Sequence, residues 1–249
     1  MPRKKRLKIN GSYHIVCRGV ERRNVFLDAD DFDIFLNLLN EVTIKYGITV
    51  HSFCLMTNHY HILVEINEQS NLSESMRILN STYAMYFNKK YKRTGHLWQG
   101  RYGSFLIYNS AHFWYVTKYI ERNPIKAGIV TKIEYYKYQS FYQWKYNQSY
   151  IHLIANSNIK QMSLAEYEEF INSDLSDEEV INIYNIPKLI IKDSQVQKLE
   201  LSLGYFLENK EQLRNQNIKK AFDYGYKISA ISKYLNLSHT AISKIINQY

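Results

Sequence analysis

Cysteine is scarce in this 249-residue chain: Cys17 and Cys54 are its only two, in unrelated surroundings. That excludes a disulfide framework and a thiolate-based zinc site, and makes a reducing cytoplasm the expected compartment. Long apolar runs are lacking as well. No stretch approaches the roughly 20 residues of a membrane-spanning helix, and the N-terminus has no hydrophobic signal core, so no membrane partner is expected. Acidic residues are short at both ends. Residues 1–150 carry 21 Lys/Arg against 11 Asp/Glu, residues 151–204 carry 4 against 9, and residues 205–249 carry 7 against 3. Two basic segments around an acidic one fit a polyanion, most often nucleic acid, and hence a nucleoid-associated protein. Solvated charged faces that serve only solubility would give the same balance. The 23 tyrosines, interleaved with Lys and Arg, suit base stacking.

What is present organises the chain. Arg3, Lys4, Lys5 and Arg6, with Lys8, form a basic arm suited to phosphate. Residues 13–18 read as a strand. A helix follows from a cap at Asp30 or Asp31 to about Tyr46, with Phe32, Phe35, Leu36 and Leu39 on one face and Gly47 closing it. Residues 49–56 and 59–66 read as strands joined by a tight turn at Thr57-Asn58. A second helix spans 72–91, with Met76, Leu79, Tyr83 and either Tyr86 or Phe87 in register, and residues 100–108 give a fourth strand before a third helix. The fold class is therefore α+β, with the β-α-β-β-α-β order of the ferredoxin-like split motif and strands one and three central.

Beyond residue 150 the chain should be helical: an acidic connecting region over 151–204, capped at Ser163 and at Asp174 or Ser176, then a helical region over 205–249. Ile228, Ile231 and Leu235 line one helix. Asn236-Leu237 turns, and Ser238 caps a second helix bearing Ile242, Ile245 and Ile246. The pair reads as a helix-turn-helix that presents Ser238, His239, Thr240, Ser243 and Lys244 to duplex DNA, or as a plain helical bundle.

The chemistry concentrates in His59-Tyr60-His61. Residues two apart on a strand project to one face, so His59 and His61 aim two imidazoles together, a ready pair of ligands for a divalent metal. Tyr60 points to the opposite, core face. About sixty residues later Tyr119 and Asn123 stand one helical turn apart, just before Pro124. A phenol and an amide oxygen on one helix face suit a nucleophile and a third ligand. Each residue also has a plainer role: a hydrogen-bonded strand pair, a packing tyrosine, and an asparagine that ends a helix before proline. Arg18 and Arg101 either hold phosphate or sit in surface ion pairs. His14 faces away from Cys17 and reads as a satisfied sheet histidine rather than a ligand. His96 and Trp98 either stack a base or close the domain.

Met56-Thr57-Asn58-His59-Tyr60-His61-Ile62-Leu63, Gly95-His96-Leu97-Trp98-Gln99-Gly100-Arg101-Tyr102 and Tyr119-Ile120-Glu121-Arg122-Asn123-Pro124-Ile125-Lys126-Ala127-Gly128 together resemble the single-tyrosine transposases of the His-hydrophobic-His (HUH) superfamily, in particular the REP-associated tyrosine transposases related to insertion-sequence transposases. Tyr13-His14-Ile15-Val16-Cys17-Arg18-Gly19 fits the same pattern, so the likeness covers residues 13–142 within a transposase-like domain at 1–150. The resemblance implies His59 and His61 as metal ligands, Tyr119 as nucleophile, and Asn123 where relatives often place a glutamine ligand. Tyr60 departs from the usual aliphatic residue. The C-terminal helices resemble a replication-initiator helix-turn-helix.

The resemblance further implies a metal-dependent endonuclease that cleaves single-stranded DNA, near hairpins, through a 5′-phosphotyrosine, with Mg²⁺ or Mn²⁺ polarising the scissile phosphate. The rival is a catalytically silent regulator, derived from a transposase, that binds hairpin or duplex DNA. Relatives act as monomers or as homodimers that exchange the tyrosine helix.

Overall fold

A computed structural model describes residues 10–107, 109–174, 188–189, 199–200, 207, 214–224 and 228–248. The chain divides into two compact units, Met1–Tyr184 and Asn185–Tyr249. In the first, β1 (Gly11–Arg18), β2 (Thr49–Met56), β3 (His59–Ile66) and β4 (Gly103–Leu106) form one antiparallel sheet in the order β2-β3-β1-β4. The central strands are thus β1 and β3. The fourth strand is shorter than residues 100–108 because the chain just before it pairs elsewhere: Val20 N–H donates to Leu97 O, and Gln99 N–H donates to Arg18 O.

Helices cover both faces. α1 (Ala29–Lys45) begins two or three residues earlier than expected, with Asp28 as the cap in place of Asp30 or Asp31. The reason is reciprocal. Asp28 accepts the Asp31 N–H, and the Asp31 carboxylate reaches back to the N–H groups of Asp28 and Leu27. Asp31 is fully buried and also receives Tyr86 and Lys90 of α2 (Leu72–Lys90) and Tyr91 just after it, which ties the two helices together. Phe35 of α1 and Asn80 of α2 both meet Tyr60, whose hydroxyl donates to Asn80 Oδ1 at 2.9 Å. This partner lets an aromatic stand where an aliphatic side chain would otherwise be needed.

α3 (Ser110–Lys126) packs on the other face, against β2 and β3. Asn109 caps it, accepting the His112 N–H at 2.7 Å. Pro124 does not end the helix at Asn123. It sits inside the last turn although it has no N–H to donate; Gly128, at φ +68°, then turns the chain out.

Residues 151–174, expected to open a connecting region, are part of the first unit's core, with Leu153, Ile154, Ile159, Tyr167 and Ile171 buried beside α4 (Ser140–Lys145) and α5 (Leu164–Asn172). Ser163 caps α5 as expected, and Glu166 completes the capping box. Asp174 instead accepts from Arg122 of α3 at 2.5 Å, and Ser176 lies outside the described residues. In the second unit α6 (Arg214–Tyr224), α7 (Ile228–Leu235) and α8 (His239–Gln248) share a small core of Ile218, Ala221, Ile231, Ile242 and Ile246. Ser238 accepts the Ala241 N–H at 3.1 Å, after a turn in which Asn236 adopts φ +51°. Among the described residues no helix is long and apolar enough to cross a membrane.

Candidate active site

The β1–β3 register builds the site. Arg18 faces His59, Val16 faces His61, and His14 faces Leu63, so alternation puts His14, Val16, Arg18, His59 and His61 on one side of the sheet. That is the side α3 covers. The rings of His59 and His61 are 5.0 Å apart and nearly perpendicular, and the Tyr119 ring stands 5.5 Å from His61 and 6.0 Å from His14, edge-on to each. Strand alternation and one helix thus bring the two imidazoles and the phenol of a single chain together.

Each imidazole is held by its Nδ1. Asn58 Nδ2–H donates to Arg22 O at 3.1 Å, which fixes the amide so that Oδ1 faces the histidine. Oδ1 lies 2.5 Å from His59 Nδ1. An amide oxygen only accepts, so His59 carries its proton on Nδ1 and keeps the Nε2 lone pair. His61 Nδ1 lies 2.9 Å from His14 Nε2. Burial pushes the His59 pKa down to about 4, with the nearby Arg18 charge adding to it. Burial holds His61 well below the ordinary histidine value, with His14, His59 and Arg18 contributing, and takes His14 down to about 3. At neutral pH all three rings are uncharged, the form in which an imidazole can ligate a metal.

Asn123 is buried one turn after Tyr119, and its Nδ2–H donates to the Tyr119 carbonyl at 2.9 Å. That bond orients the amide and leaves Oδ1 as its remaining donor atom. Among the described residues no group of three or more His, Cys, Asp or Glu side chains is arranged to hold a metal ion. A cation held by His59 and His61 would therefore rest on neutral imidazole nitrogens, with open positions for other oxygen ligands. Such a donor set is too poor for a closed structural zinc site and fits an exchangeable cation. Lys126 places its ammonium 5.5 Å from the Tyr119 ring centre.

The other sequence candidates divide. Arg18 is exposed beside His59. Arg101 is exposed and lines a 940 Å³ groove with Met76, Arg77 and Asn80 of α2, on the sheet side opposite α3. Trp98 closes the domain, donating from Nε1 to the Asn80 carbonyl and packing on Tyr60, while His96 is exposed in the same groove. Ser238, His239, Thr240 and Lys244 are exposed and Ser243 is half-buried, all in the second unit. Arg3, Lys4, Lys5 and Arg6 lie outside the described residues.

Two contributors escaped the sequence reading. The sequence pattern places Asn58 only in a turn, although an asparagine directly before the first histidine is a usable signal. His14 is indeed satisfied, but by His61 itself, and only the strand register reveals that.

Comparison with known proteins finds similarity to transposases. Residues 8–123 match the sequence model of the family described as Transposase IS200 like. A Haemophilus influenzae protein, provisionally assigned as a REP-associated tyrosine transposase, is 25% identical over 144 residues, covering 53% of this chain and 81% of that protein. Two solved structures show weaker overall likeness at 18% identity each. One is a REP-associated tyrosine transposase bound to a REP hairpin (TM-score 0.49, covering 57% of this chain and 84% of that one). The other is a provisional transposase of Deinococcus radiodurans (TM-score 0.35, covering 49% and 97%). Over residues 8–123 the chain is thus similar to the IS200-like transposases.

Proposed function

We propose that the chain is a single-strand DNA nickase and strand-transferase that cuts beside a hairpin and holds the cut end on Tyr119. The carrying observation is the approach of the Tyr119 ring to within 5.5 Å of His61 on the sheet face that also bears His59. The hairpin preference is what the sequence resemblance to REP-associated tyrosine transposases implies. In the first half-reaction the Tyr119 oxygen attacks the phosphorus, a P–O bond forms, and the bond to the 3′ oxygen breaks. The phenol's proton passes, directly or through water, to the departing 3′ oxygen. The 5′-phosphotyrosine ester keeps the energy of the broken bond, so a second 3′-hydroxyl can reverse the step and join a new strand.

His59, His61 and the Asn123 amide would hold Mg²⁺ or Mn²⁺, which when bound supplies charge to polarise the scissile phosphate. The protein's own work is to keep both imidazoles neutral and fixed, to hold Asn123 against the Tyr119 carbonyl, and to place the Arg18 guanidinium at the mouth for backbone phosphate. The β-α-β-β-α-β part, with β1 and β3 central, acts in this reading as a ferredoxin-like nuclease core. α7 and α8 act as a helix-turn-helix whose exposed His239, Thr240 and Lys244 meet duplex DNA.

The deciding experiment incubates the protein with single-stranded hairpin oligonucleotides and Mn²⁺, then separates conjugates on a denaturing gel. Wild-type protein should form a covalent adduct, and Tyr119→Phe should form none while retaining hairpin affinity. Hairpin binding without an adduct under either metal would instead identify the silent regulator.

A further inference from the structure

The His14–His61 contact carries an inference that rests on the cation reading above and extends it. A neutral imidazole has one N–H and one lone pair. The 2.9 Å separation between His14 Nε2 and His61 Nδ1 therefore accommodates one proton, on one ring or the other. If it sits on His14, the remaining proton of His61 must be on Nε2, and His61 has no lone pair left for a cation. If it sits on His61 Nδ1, the His61 Nε2 lone pair is free, and His14 must carry its own proton on Nδ1. The tautomers of the two rings are locked together.

We propose that His14 is the positioning residue of the cation site, accepting the His61 Nδ1–H and so turning His61 into a ligand through Nε2. His14 plays for His61 the part that Asn58 plays for His59, so both ligands are oriented from behind by an acceptor. The placement is rigid. Both rings of the pair are buried, their centres 5.1 Å apart and their planes within 22° of parallel, with Phe105 against His14 and Tyr119 edge-on to both. The strand pairing that opposes Val16 to His61 leaves His14 one alternation away, within reach of the ring but behind it. The His14 ring itself uses the nitrogen that faces His61, so it acts through that residue and not on the phosphate.

The test measures Mn²⁺ binding calorimetrically in wild type, His14→Leu, His14→Gln and His59→Ala, and locates the histidine protons by nitrogen-15 NMR in the Mg²⁺-loaded wild type. The expected result is about 10- to 100-fold weaker Mn²⁺ binding in His14→Leu. His14→Gln, whose amide oxygen reaches the same place, should bind within a few-fold of wild type. His61 should show its proton on Nδ1. Undiminished binding by a folded His14→Leu, or a His61 proton on Nε2, overturns the positioning role and leaves the cation site standing. Should His14→Leu not fold, the glutamine variant and the wild-type proton position decide. Equal binding by His59→Ala and wild type overturns the cation reading and the positioning role with it.

Discussion

Asn58 precedes His59 in sequence and fixes it in space: its Oδ1 lies 2.5 Å from Nδ1 of the ring, and its Nδ2–H is committed to the Arg22 carbonyl. An acceptor behind a ligating histidine sets the tautomer, holds the ring plane and raises the basicity of the other nitrogen. Asn58→Leu should therefore weaken Mn²⁺ binding by about 10-fold or more. Asn58→Asp, which keeps an acceptor there, should bind at least as tightly as wild type. Calorimetric titration of the three proteins checks this, and unchanged affinity in Asn58→Leu refutes it.

Gly19 braces the same turn. Its N–H donates to the Asn58 carbonyl at 2.9 Å, and a Cβ added there would lie 2.3 Å from the Arg23 carbonyl oxygen and 2.7 Å from Val25 Cγ1. Backbone cannot yield as a flexible side-chain end can. Gly19→Ala should cost about 1–3 kcal/mol of stability and loosen the Asn58–His59 contact. Urea unfolding reads the first effect, and a midpoint equal to wild type would show that the 19–25 loop relaxes freely.

The imidazole pair was legible from sequence because a period of two is a local property: His59 and His61 must share a face wherever the strand goes. Tyr119 and Asn123 were legible for the same reason, at helical spacing. What joins the pairs is not local. The meeting of Tyr119 with His61 depends on which sheet face α3 covers, and the service of His14 depends on the register that sets Val16 opposite His61. A one-residue slip would turn every one of these side chains over. The α1 cap was misplaced by two or three residues because Asp28, Asp30 and Asp31 are chemically alike; only the reach of Asp31 back to Asp28 separates them.

The sequence assigns residues 151–174 no chemistry, and the structure gives them and α4 a role through Glu121. This α3 residue, two beyond Tyr119, is fully buried; its carboxyl group accepts from Ser140, from Tyr167 at 3.0 Å and from the Phe141 N–H at 3.3 Å. Burial outweighs these donors and raises its pKa from 4.5 to about 7. The folded chain thus keeps a proton that the unfolded chain releases above its own, lower value. That contribution to stability is fully present below pH 4.5 and is lost as pH rises through about 7. Glu121→Gln has nothing to ionise. Its stability relative to wild type should rise between about pH 5 and pH 8, by a shift on the order of 3 kcal/mol at most. Parallel urea unfolding at the two pH values checks it, and a pH-independent difference would place the carboxyl's titration elsewhere.

Tyr119 reaches the imidazoles of its own chain, with the ring 5.5 Å from His61, and α3 is fastened to that chain at several points. Arg122 donates to the Ile171 and Asn172 carbonyls and pairs with Asp174, Lys118 donates to the Asp174 carbonyl, and Glu121 holds Ser140 and Tyr167. Exchanging this helix with a second copy would first have to break all of these contacts, including a buried network, before re-making them between chains. Tyr119 should therefore act, in the proposed reaction, on DNA held by its own chain. Tyr119→Phe and His61→Ala are each expected to form no adduct with a hairpin oligonucleotide and Mn²⁺. Mixed in equal amounts, they should still form none, because neither chain combines a phenol with an intact imidazole pair. Adduct recovered in the mixture, carried on the His61→Ala chain, would demonstrate a shared site between copies and would require α3 to leave the bed that residues 133–174 make for it.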